Sequence, residues 1–488
     1  MVANGPASTG LARPRGGEAP AAAVRSPSSG AVRSIACSRS SSGRSPGWWC
    51  LVLVSALAWS SHCSVQAIYT EDEAPLIGDE DGGEVIENEY IVVFKDRSGL
   101  LTQKAHVHGV AVNVPEVERR NASVHAKLMY EYDASLGVEG YAVRCDDVLL
   151  NTIRHSKEVA YVEKNRPLFL QQQQHGRQQR PRQAQRPAAR PRNSYSRPKP
   201  PCMQQSNAAW ALSRISANTL DAALNTRSYR YEETGGTGVD VYVVDTGIRL
   251  DHVDLQGRAR WGTDTIDGVD SPRTDELGHG THVAGIVGGK TFGVAKKVNV
   301  VAVKVFDEGG RTSEAAVVDG LRWIAQDFRR TRKPSIINLS IGGAGHYWTL
   351  NRAVKAIIKL GISCVVAAGN SEMDACYYSP AMVSESVTVA NTNENDERMD
   401  SSNFGQCVDI FAPGTNIRSL GVSSRYATHV DSGTSMSAPH VTGVLARWLS
   451  LFPQATPAQL KRAIIRTSTK HTIGNPNGSP NQMLHMGC

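Results

Sequence analysis

The 488-residue chain contains no apolar run of 18 residues, which excludes a multi-span membrane protein. It contains no fibrous repeat. Its nine Cys are too few for a small scaffold held together by disulfides. Excess charge is scarce where the chain is longest. Residues 202–488 carry 28 bases and 26 acids, so a nucleic-acid footprint on that folded surface is not expected. The formal charge of +7 arises elsewhere. Residues 1–47 carry six Arg and one Glu, and residues 171–201 carry seven Arg, one Lys and no acid, whereas residues 48–170 sum to −8. With 40% hydrophobic and 20% charged residues, most of the chain is expected to be globular. Its length suits about two to four domains.

The chain divides by composition. Residues 1–47, rich in Ser, Gly, Pro, Ala and Arg, read as disordered. The apolar run 48–59 follows, too short to span a bilayer comfortably and preceded by bases, with the small-residue site Val65-Gln66-Ala67 beyond it. That is the layout of a secretory signal peptide, with a signal anchor or a buried element as the alternatives. Residues 1–67 are therefore assigned to a leader and signal. Residues 68–89 form an acidic spacer, 90–170 a small domain, 171–202 a basic Gln/Arg/Pro linker and 203–488 a large domain. In the small domain, strands at 90–94, 127–132, 140–144 and 159–162 and helices at 100–112 and 146–155 give the order β-α-β-β-α-β of a ferredoxin-like α+β fold. In the large domain, Val/Ile-rich runs at 239–244, 298–305, 335–339, 362–367 and 387–390 alternate with helical patterns at 313–326, 350–360, 435–449 and 457–465. This predicts a three-layer α/β domain: a parallel sheet covered on both faces, with reactive groups at the carboxyl ends of its strands.

Three segments place a reactive residue at such an end. VYVVDTG (241–247) ends a strand with Asp245. GHGTHVAG (278–285) puts His279 where glycines give way to a helix. SGTSMSAPHVTG (432–443) puts Ser435 near a helix start, because Pro439 is tolerated only in the first turn or before it. There the peptide dipole favours developing negative charge. Asp, His and Ser are the parts of an activated hydroxyl nucleophile: the His takes the Ser proton, and the Asp fixes and stabilises the imidazolium. His282 lies one turn from His279, and spacing alone allows either as the base. A tetrahedral intermediate also needs donors for its oxyanion. Asn370, at the strand end in VVAAGNSEMDAC (365–376), and the Ser435 N–H suit that role.

HGTHVAG, the Asp-Thr-Gly turn at 245–247, AAGN at 367–370 and GTSMSAPH at 433–440 resemble the signature regions of the subtilisin-like serine proteases (subtilases). CYYSPA (376–381) and FGQCVDIFAPGT (404–415) are similar to the proteinase K subgroup. The resemblance covers about 204–485, and YIVVFK (90–95) and VAYVEKN (159–165) resemble the ends of the family's inhibitory propeptide. It implies Asp245 as orienting acid, His279 as base, Ser435 as nucleophile and Asn370 as oxyanion donor. His282 and His440 then become structural, and Asp251, Asp254 and Asp275 read as ordinary surface or turn carboxylates. Ser340, Ile341 and Gly342 in INLSIGG (337–343) would hydrogen-bond the substrate backbone as an added strand, with Gly309, Gly310 and Arg311 facing its other edge. Ala367, Ala368, Gly369 and Tyr378 would line the pocket for the residue before the scissile bond. That pocket holds no acid, so an apolar or aromatic preference is expected. The resemblance also implies a Cys376–Cys407 disulfide, and a structural calcium held by Asp409 and the carbonyls of Ser384 and Ser386. No cofactor is expected for catalysis. Cys364 reads as a buried, inert thiol, and a Cys202–Cys488 pair is left open. Asn477, in a polar loop, and Asn121 are glycosylation candidates, while the Asn338 sequon falls in a buried strand.

The resulting expectation is a secreted, monomeric serine endopeptidase made as a zymogen. Its partners would be protein or peptide substrates and its own propeptide, acting as chaperone and inhibitor, with no nucleic acid and no stable membrane span. Two other functions compete. A propeptide-inhibited secreted binding protein on the same fold would cut itself once, but all four catalytic positions are present. An esterase of the α/β-hydrolase type would need G-x-S-x-G and a later His, whereas Ser435 sits in Gly-Thr-Ser-Met-Ser and the base precedes it. The propeptide's end should lie in the active site, with Leu168-Phe169-Leu170 suiting the apolar pocket. The first cut is expected near 168–172, made by Ser435 itself, with Arg192 as the better site for later trimming.

Overall fold

A computed structural model describes residues 73–78, 80–95, 126–171, 202–266 and 273–488, together with 105, 106 and 109. The leader and signal run, most of the helix expected at 100–112, Asn121 and nearly all of the linker, Arg192 included, lie outside the described residues. In the N-terminal domain, strands β1 (Leu76–Ile77), β2 (Glu89–Phe94), β3 (Lys127–Tyr132), β4 (Gly140–Arg144) and β5 (Val159–Lys164) form a sheet in the order β1-β5-β2-β4-β3. Strand β2 reads Glu-Tyr-Ile-Val-Val-Phe and is buried on both faces. Tyr90, Val92 and Phe94 pack with Leu149, Leu150 and Ile153 of helix α1 (Asp147–Arg154), while Ile91 and Val93 point the other way. Asp146 caps α1 by accepting from the Leu149 N–H at 2.9 Å.

The acidic segment before β2 departs from the expected solvated spacer. Leu76 pairs with Val162 of β5, Ala74 is buried, and Glu73 meets Arg154 at 2.8 Å. Glu80 accepts from the Gly78 N–H at 2.8 Å and Asp81 from the His346 N–H at 2.9 Å, so acids of this segment are engaged by backbone as well.

After strand β6 (Pro167–Leu170), β7 (Cys202–Gln205), α2 (Trp210–Ser216), α3 (Leu220–Thr226) and β8 (Tyr229–Glu232) open the second domain. Its central sheet uses β9 (Asp240–Asp245), β10 (Ala259–Asp264), β11 (Asn299–Lys304), β13 (Ser335–Leu339), β15 (Ser363–Ala367), β17 (Val387–Thr392), β18 (Ile410–Pro413), β21 (Thr469–Lys470) and β22 (Gln482–Met483). The order is β10-β11-β9-β13-β15-β17-β18-β22-β21, parallel except for β21 at the edge. Helices α4 (His279–Gly288), α5 (Glu314–Thr331), α6 (Trp348–Lys359), α7 (Thr434–Leu451) and α8 (Pro457–Thr467) cover it. Short strands β12 (Thr312–Ser313), β14 (Ile341–Ala344), β16 (Tyr378–Ser379), β19 (Ile417–Leu420) and β20 (Thr428–Asp431) lie outside it. Val241 and Val243 of β9 pack with Val283 of α4 and with Met436, Val441 and Val444 of α7. Tyr242 and Val244 pack with Leu321 and Ile324 of α5 and with Leu350 and Val354 of α6. These are the three layers and the parallel sheet that the Val/Ile-rich runs predict.

The described residues fall in one compact unit. The second face of the N-terminal sheet, with Ile91, Val93, Tyr132 and Leu136, joins the core formed by α5 and α6. Glu163 of β5 accepts from the Trp348 N–H and the Thr349 N–H, each at 2.8 Å, and from the Thr349 hydroxyl at 2.6 Å. It thereby caps α6 from another domain. Glu314 accepts from the Leu350 N–H at 2.8 Å. Arg166, itself buried, donates to the Ala344 carbonyl at 3.0 Å and stacks over Tyr347 at 4.2 Å. Burial raises the Glu163 carboxyl to about 7 despite its donors and Arg166. Burial and the nearby Glu163 raise Glu314 as well.

Candidate active site

Asp245 is the last residue of β9 and His279 the first of α4. Both are buried, and His279 Nδ1 lies 2.7 Å from Asp245 Oδ1, which also accepts from the Thr246 N–H at 2.8 Å. Burial disfavours a charged His279, but the adjoining Asp245 carboxylate, helped by Asp431 and Asp275, holds its pKa above the ordinary 6.5. His279 Nε2 is buried and has no hydrogen-bond partner among the described residues.

Asp275 corrects its reading as an ordinary turn carboxylate. It is buried and accepts from the Thr246 hydroxyl (2.7 Å), the Gly278 N–H (2.7 Å), the Thr281 N–H (2.8 Å) and the Thr281 hydroxyl (2.7 Å). It thus clamps the turn after Asp245 to the helix that starts at His279. Asp254 is also buried and accepts from the Thr291 N–H and hydroxyl, whereas Asp251 is exposed beside Arg249, as expected of a surface carboxylate.

Ser435 is the second residue of α7. Pro439 is the sixth residue of that helix, past the first turn to which the sequence reading confined it, and it cannot donate to the Ser435 carbonyl. Ser340 supplies the missing donor: its hydroxyl donates to the Ser435 carbonyl at 3.0 Å. Asn338 Nδ2 donates to the Ser340 hydroxyl at 2.9 Å, and the Thr442 hydroxyl donates to Asn338 Oδ1 at 2.9 Å. The Asn338 sequon is therefore buried and engaged. Ser435 Oγ itself donates to the Ser340 carbonyl at 3.0 Å. Asn370 Oδ1 accepts from the Thr434 N–H at 3.0 Å, which fixes the amide and leaves Nδ2 buried without a partner among the described residues.

A peptide segment of the chain runs through this site. Strand β6 lies between β12 and β14, antiparallel to both. Leu170 faces Ile341 and Phe169 faces Gly342, as the strand-addition reading expects of Ser340–Gly342. The other edge is Thr312–Ser313, opposite Leu168 and Pro167, and not Gly309–Arg311. Residues 307–311 are closed on themselves: the Gly310 N–H donates to the Asp307 carbonyl, the Arg311 N–H to Asp307 Oδ1 and the Asp307 N–H to the Arg311 carbonyl. The first free extended backbone comes after them.

Gln171 follows β6. Its N–H donates to the Ser340 carbonyl at 3.1 Å, and its carbonyl accepts from the Ser435 N–H at 3.0 Å. Its buried side chain enters the pocket assigned to Ala368, Gly369 and Tyr378. There Nε2 donates to the Gly342 carbonyl (3.0 Å), the Phe169 carbonyl (2.9 Å) and Tyr378 Oη (3.4 Å), while Oε1 accepts from the Asn370 N–H at 3.1 Å. The residue seated in the pocket is thus a Gln and not the apolar residue expected of the tail, and its amide meets a carbonyl and an N–H as well as a ring. The buried apolar residue of the tail is Leu168 instead. Gly369 has φ +109°, and a Cβ there would lie 2.1 Å from Asn403 Nδ2. A Cβ on Gly342 would lie 2.8 Å from the Tyr378 ring. The pocket's width therefore depends on both glycines.

His282 Nε2 lies 3.0 Å from the Ile417 carbonyl, and burial together with His279 pushes its pKa to about 3. His440 Nδ1 lies 2.8 Å from the Met436 carbonyl, and burial lowers its pKa to about 4. His282 so ties α4 to β19, and His440, which also meets the Pro413 backbone, ties α7 to β18. Cys376 and Cys407 are bonded, as are Cys202 and Cys488, while Cys364 and Cys145 are free and buried. Asn477 is exposed. The oxygens expected to hold calcium meet a cation of the chain itself. Lys461 Nζ donates to the Ser384 carbonyl (2.8 Å), the Ser386 carbonyl (2.7 Å) and Asp409 Oδ2 (2.7 Å). These are the three oxygen sources assigned to the ion, and a positive group already sits among them. Sequence reasoning also missed Gln171, which lies at the start of a Gln/Arg/Pro run with no local pattern.

Residues 236–483 match the Subtilase family and residues 89–171 match the Peptidase inhibitor I9 family. The chain is 35% identical to a subtilisin-like protease of Coccidioides posadasii, over 90% of this chain and 88% of that one. It is 36% identical to the subtilisin-like serine protease Pen ch 18 of Penicillium rubens, over 90% and 88% of the two chains. It is 34% identical to Pen c 2 of Penicillium citrinum, over 90% and 96%. The crystal structure of a cold adapted subtilisin-like serine proteinase aligns with TM-score 0.55 at 40% identity, covering 58% of this chain and all of that one.

Proposed function

The chain belongs to the subtilase family and is a serine-type endopeptidase made with an inhibitory propeptide domain; from that premise we propose that Asp245, His279 and Ser435 carry the hydrolysis and that the first bond cut is Gln171–Gln172 of the same chain. The observation that carries this reading is the seat of Gln171, whose carbonyl rests on the Ser435 N–H while its side chain fills the pocket. Ser435 Oγ turns from the Ser340 carbonyl to His279 Nε2, gives up its proton there and attacks the Gln171 carbonyl carbon. The Ser435 N–H and Asn370 Nδ2 hold the oxyanion. His279, charged and steadied by Asp245, returns the proton to the departing Gln172 nitrogen as the C–N bond breaks. Water then hydrolyses the acyl-enzyme by the same route. The N-terminal domain stays seated as a product-like inhibitor until it is released. The apolar run at 48–59 and the Val65-Gln66-Ala67 site support entry into the secretory pathway. Among the described residues no helix is long and apolar enough to cross a membrane. Asn477 would then be available for glycosylation.

Expression of the Ser435→Ala chain beside the unaltered one tests this reading. The unaltered chain should yield a fragment beginning at Gln172 or trimmed beyond it, and the variant should accumulate with residues 90–171 still attached. Normal cutting of the variant assigns the first cut to another protease and overturns self-processing.

A further inference from the structure

The contacts of Lys461 reach beyond the hydrolytic site. An ammonium has three N–H donors and no acceptor. At Lys461 all three are matched: the carbonyls of Ser384 and Ser386 and the Asp409 carboxylate stand 2.7–2.8 Å from Nζ. Asp409 Oδ2 also accepts from the Thr388 N–H at 2.9 Å, so this carboxylate is fixed from its own sheet as well. Both partners are largely buried, with side chains 19% and 17% exposed. The oxygens come from the turn before β17 and the residue before β18, while the cation comes from α8, whose start is fixed by a Thr456–Gln459 capping box. The ammonium therefore joins a helix to two strand entrances.

Carbonyl oxygens and one carboxylate form a hard-oxygen donor set of the kind that takes Ca²⁺, which requires six to eight oxygens at about 2.3–2.6 Å. A calcium ion and this ammonium cannot share the same oxygens. The two cations also differ in how they are held. A bound ion stabilises only as far as its free concentration exceeds its dissociation constant. A lysine on α8 is delivered by folding itself, whatever the surrounding calcium concentration.

We propose that Lys461 is a built-in substitute for a divalent cation, bridging Ser384, Ser386 and Asp409 so that this corner of the protease domain is independent of calcium and closed to it. Removing the lysine would reopen the cage as a calcium site.

The test uses the full chain carrying Ser435→Ala, so that self-digestion does not confuse the readout. Calcium binding is measured by titration calorimetry, and unfolding is followed by heating with calcium chloride or with chelator. In this parent, adding Asp409→Asn should leave calcium binding unchanged. Lys461→Ala should melt lower than the parent in chelator, bind one more calcium than the parent, and recover stability when calcium is added. Asp409→Asn should abolish that extra binding. Lys461→Met, which keeps most of the apolar stem, replaces the alanine variant if that fails to fold. The proposal is overturned if Asp409→Asn removes a calcium from the lysine-containing parent. It is equally overturned if a folded Lys461 variant gains no calcium.

Discussion

The main-chain N–H of Ser435 donates to the main-chain carbonyl of Gln171 at 3.0 Å. One residue thus supplies the proposed nucleophile and holds the carbonyl it would attack, and Gln171 becomes the specificity-bearing residue of the first cut. Gln171→Glu should slow self-processing by roughly 10–100-fold. It sets a carboxylate oxygen against the Gly342 and Phe169 carbonyls, where the loss of a buried donor costs about 1–3 kcal/mol. Gln171→Asn should be milder. The rate of appearance of the Gln172 N-terminus, read by mass spectrometry, checks both. An unchanged rate in Gln171→Glu would show that the amide is not read.

Asn370→Ala should lower kcat by about 10²–10³-fold with little change in KM, because Nδ2 acts only on the oxyanion. The same substitution strips the Thr434 N–H of its acceptor, so a modest drop in Tm, equivalent to about 1 kcal/mol, should accompany it. Steady-state kinetics on a peptide substrate and a melting curve separate the two effects.

The pH profile should report His279. Its neutral form is the base, and Asp245 holds its pKa above 6.5, so kcat/KM should rise with pH along a limb centred above that value. Asp245→Asn should move the limb to lower pH and cut kcat by on the order of 10⁴-fold. A limb centred at or below 6.5 in the unaltered enzyme would contradict the electrostatic assignment.

Propeptide release should accelerate as pH rises. Glu163 titrates near 7 in the complex, against an ordinary carboxylate value of 4.5, and Glu314 beside it is also raised. The complex therefore holds a proton that the separated parts lose. The stabilisation is fully present below 4.5 and disappears as pH rises through about 7, with a slope of at most about tenfold per pH unit per proton. Dissociation rates of the self-cut complex should show this dependence, and Glu163→Gln should flatten it.

Replacing Cys376 and Cys407 together by Ser should destabilise the folded protein by roughly 3–4 kcal/mol, the entropy of closing a loop of this length in the unfolded chain. The bond spans 31 residues and anchors the segment leading to Tyr378, so the pocket should loosen as well. Chemical denaturation measures the first effect, and the KM for Gln-containing peptides the second.

The fold was legible because its strands are continuous Val/Ile runs that only a doubly covered parallel sheet can bury. Asp245, Asn370 and Ser435 stood out because each sits where such an element meets a glycine turn, whereas the choice of His279 over His282 came only from the family resemblance. What stayed hidden depends on residues that meet only after folding. Asp275 has partners at Thr246 and Thr281, and nothing in its own segment distinguishes it from a turn acid. Lys461 occupies an unremarkable helical position whose meaning lies 52 residues upstream at Asp409. Gln171 opens a tract whose composition suggests linker, yet its amide completes the pocket. The resemblance put Gly309–Arg311 at the substrate's other edge, but the backbone and side chain of Asp307 fold that turn shut.

The Cys202–Cys488 bond has a consequence for a protease that shares its compartment with copies of itself. It joins residues 286 positions apart, so the backbone between them is a covalent ring. One cut anywhere inside that ring opens it without releasing a fragment. A nicked molecule keeps both pieces, and with them the packed sheet, and it migrates as one species until it is reduced. Only a second cut, or loss of the bond, turns damage into dissociation.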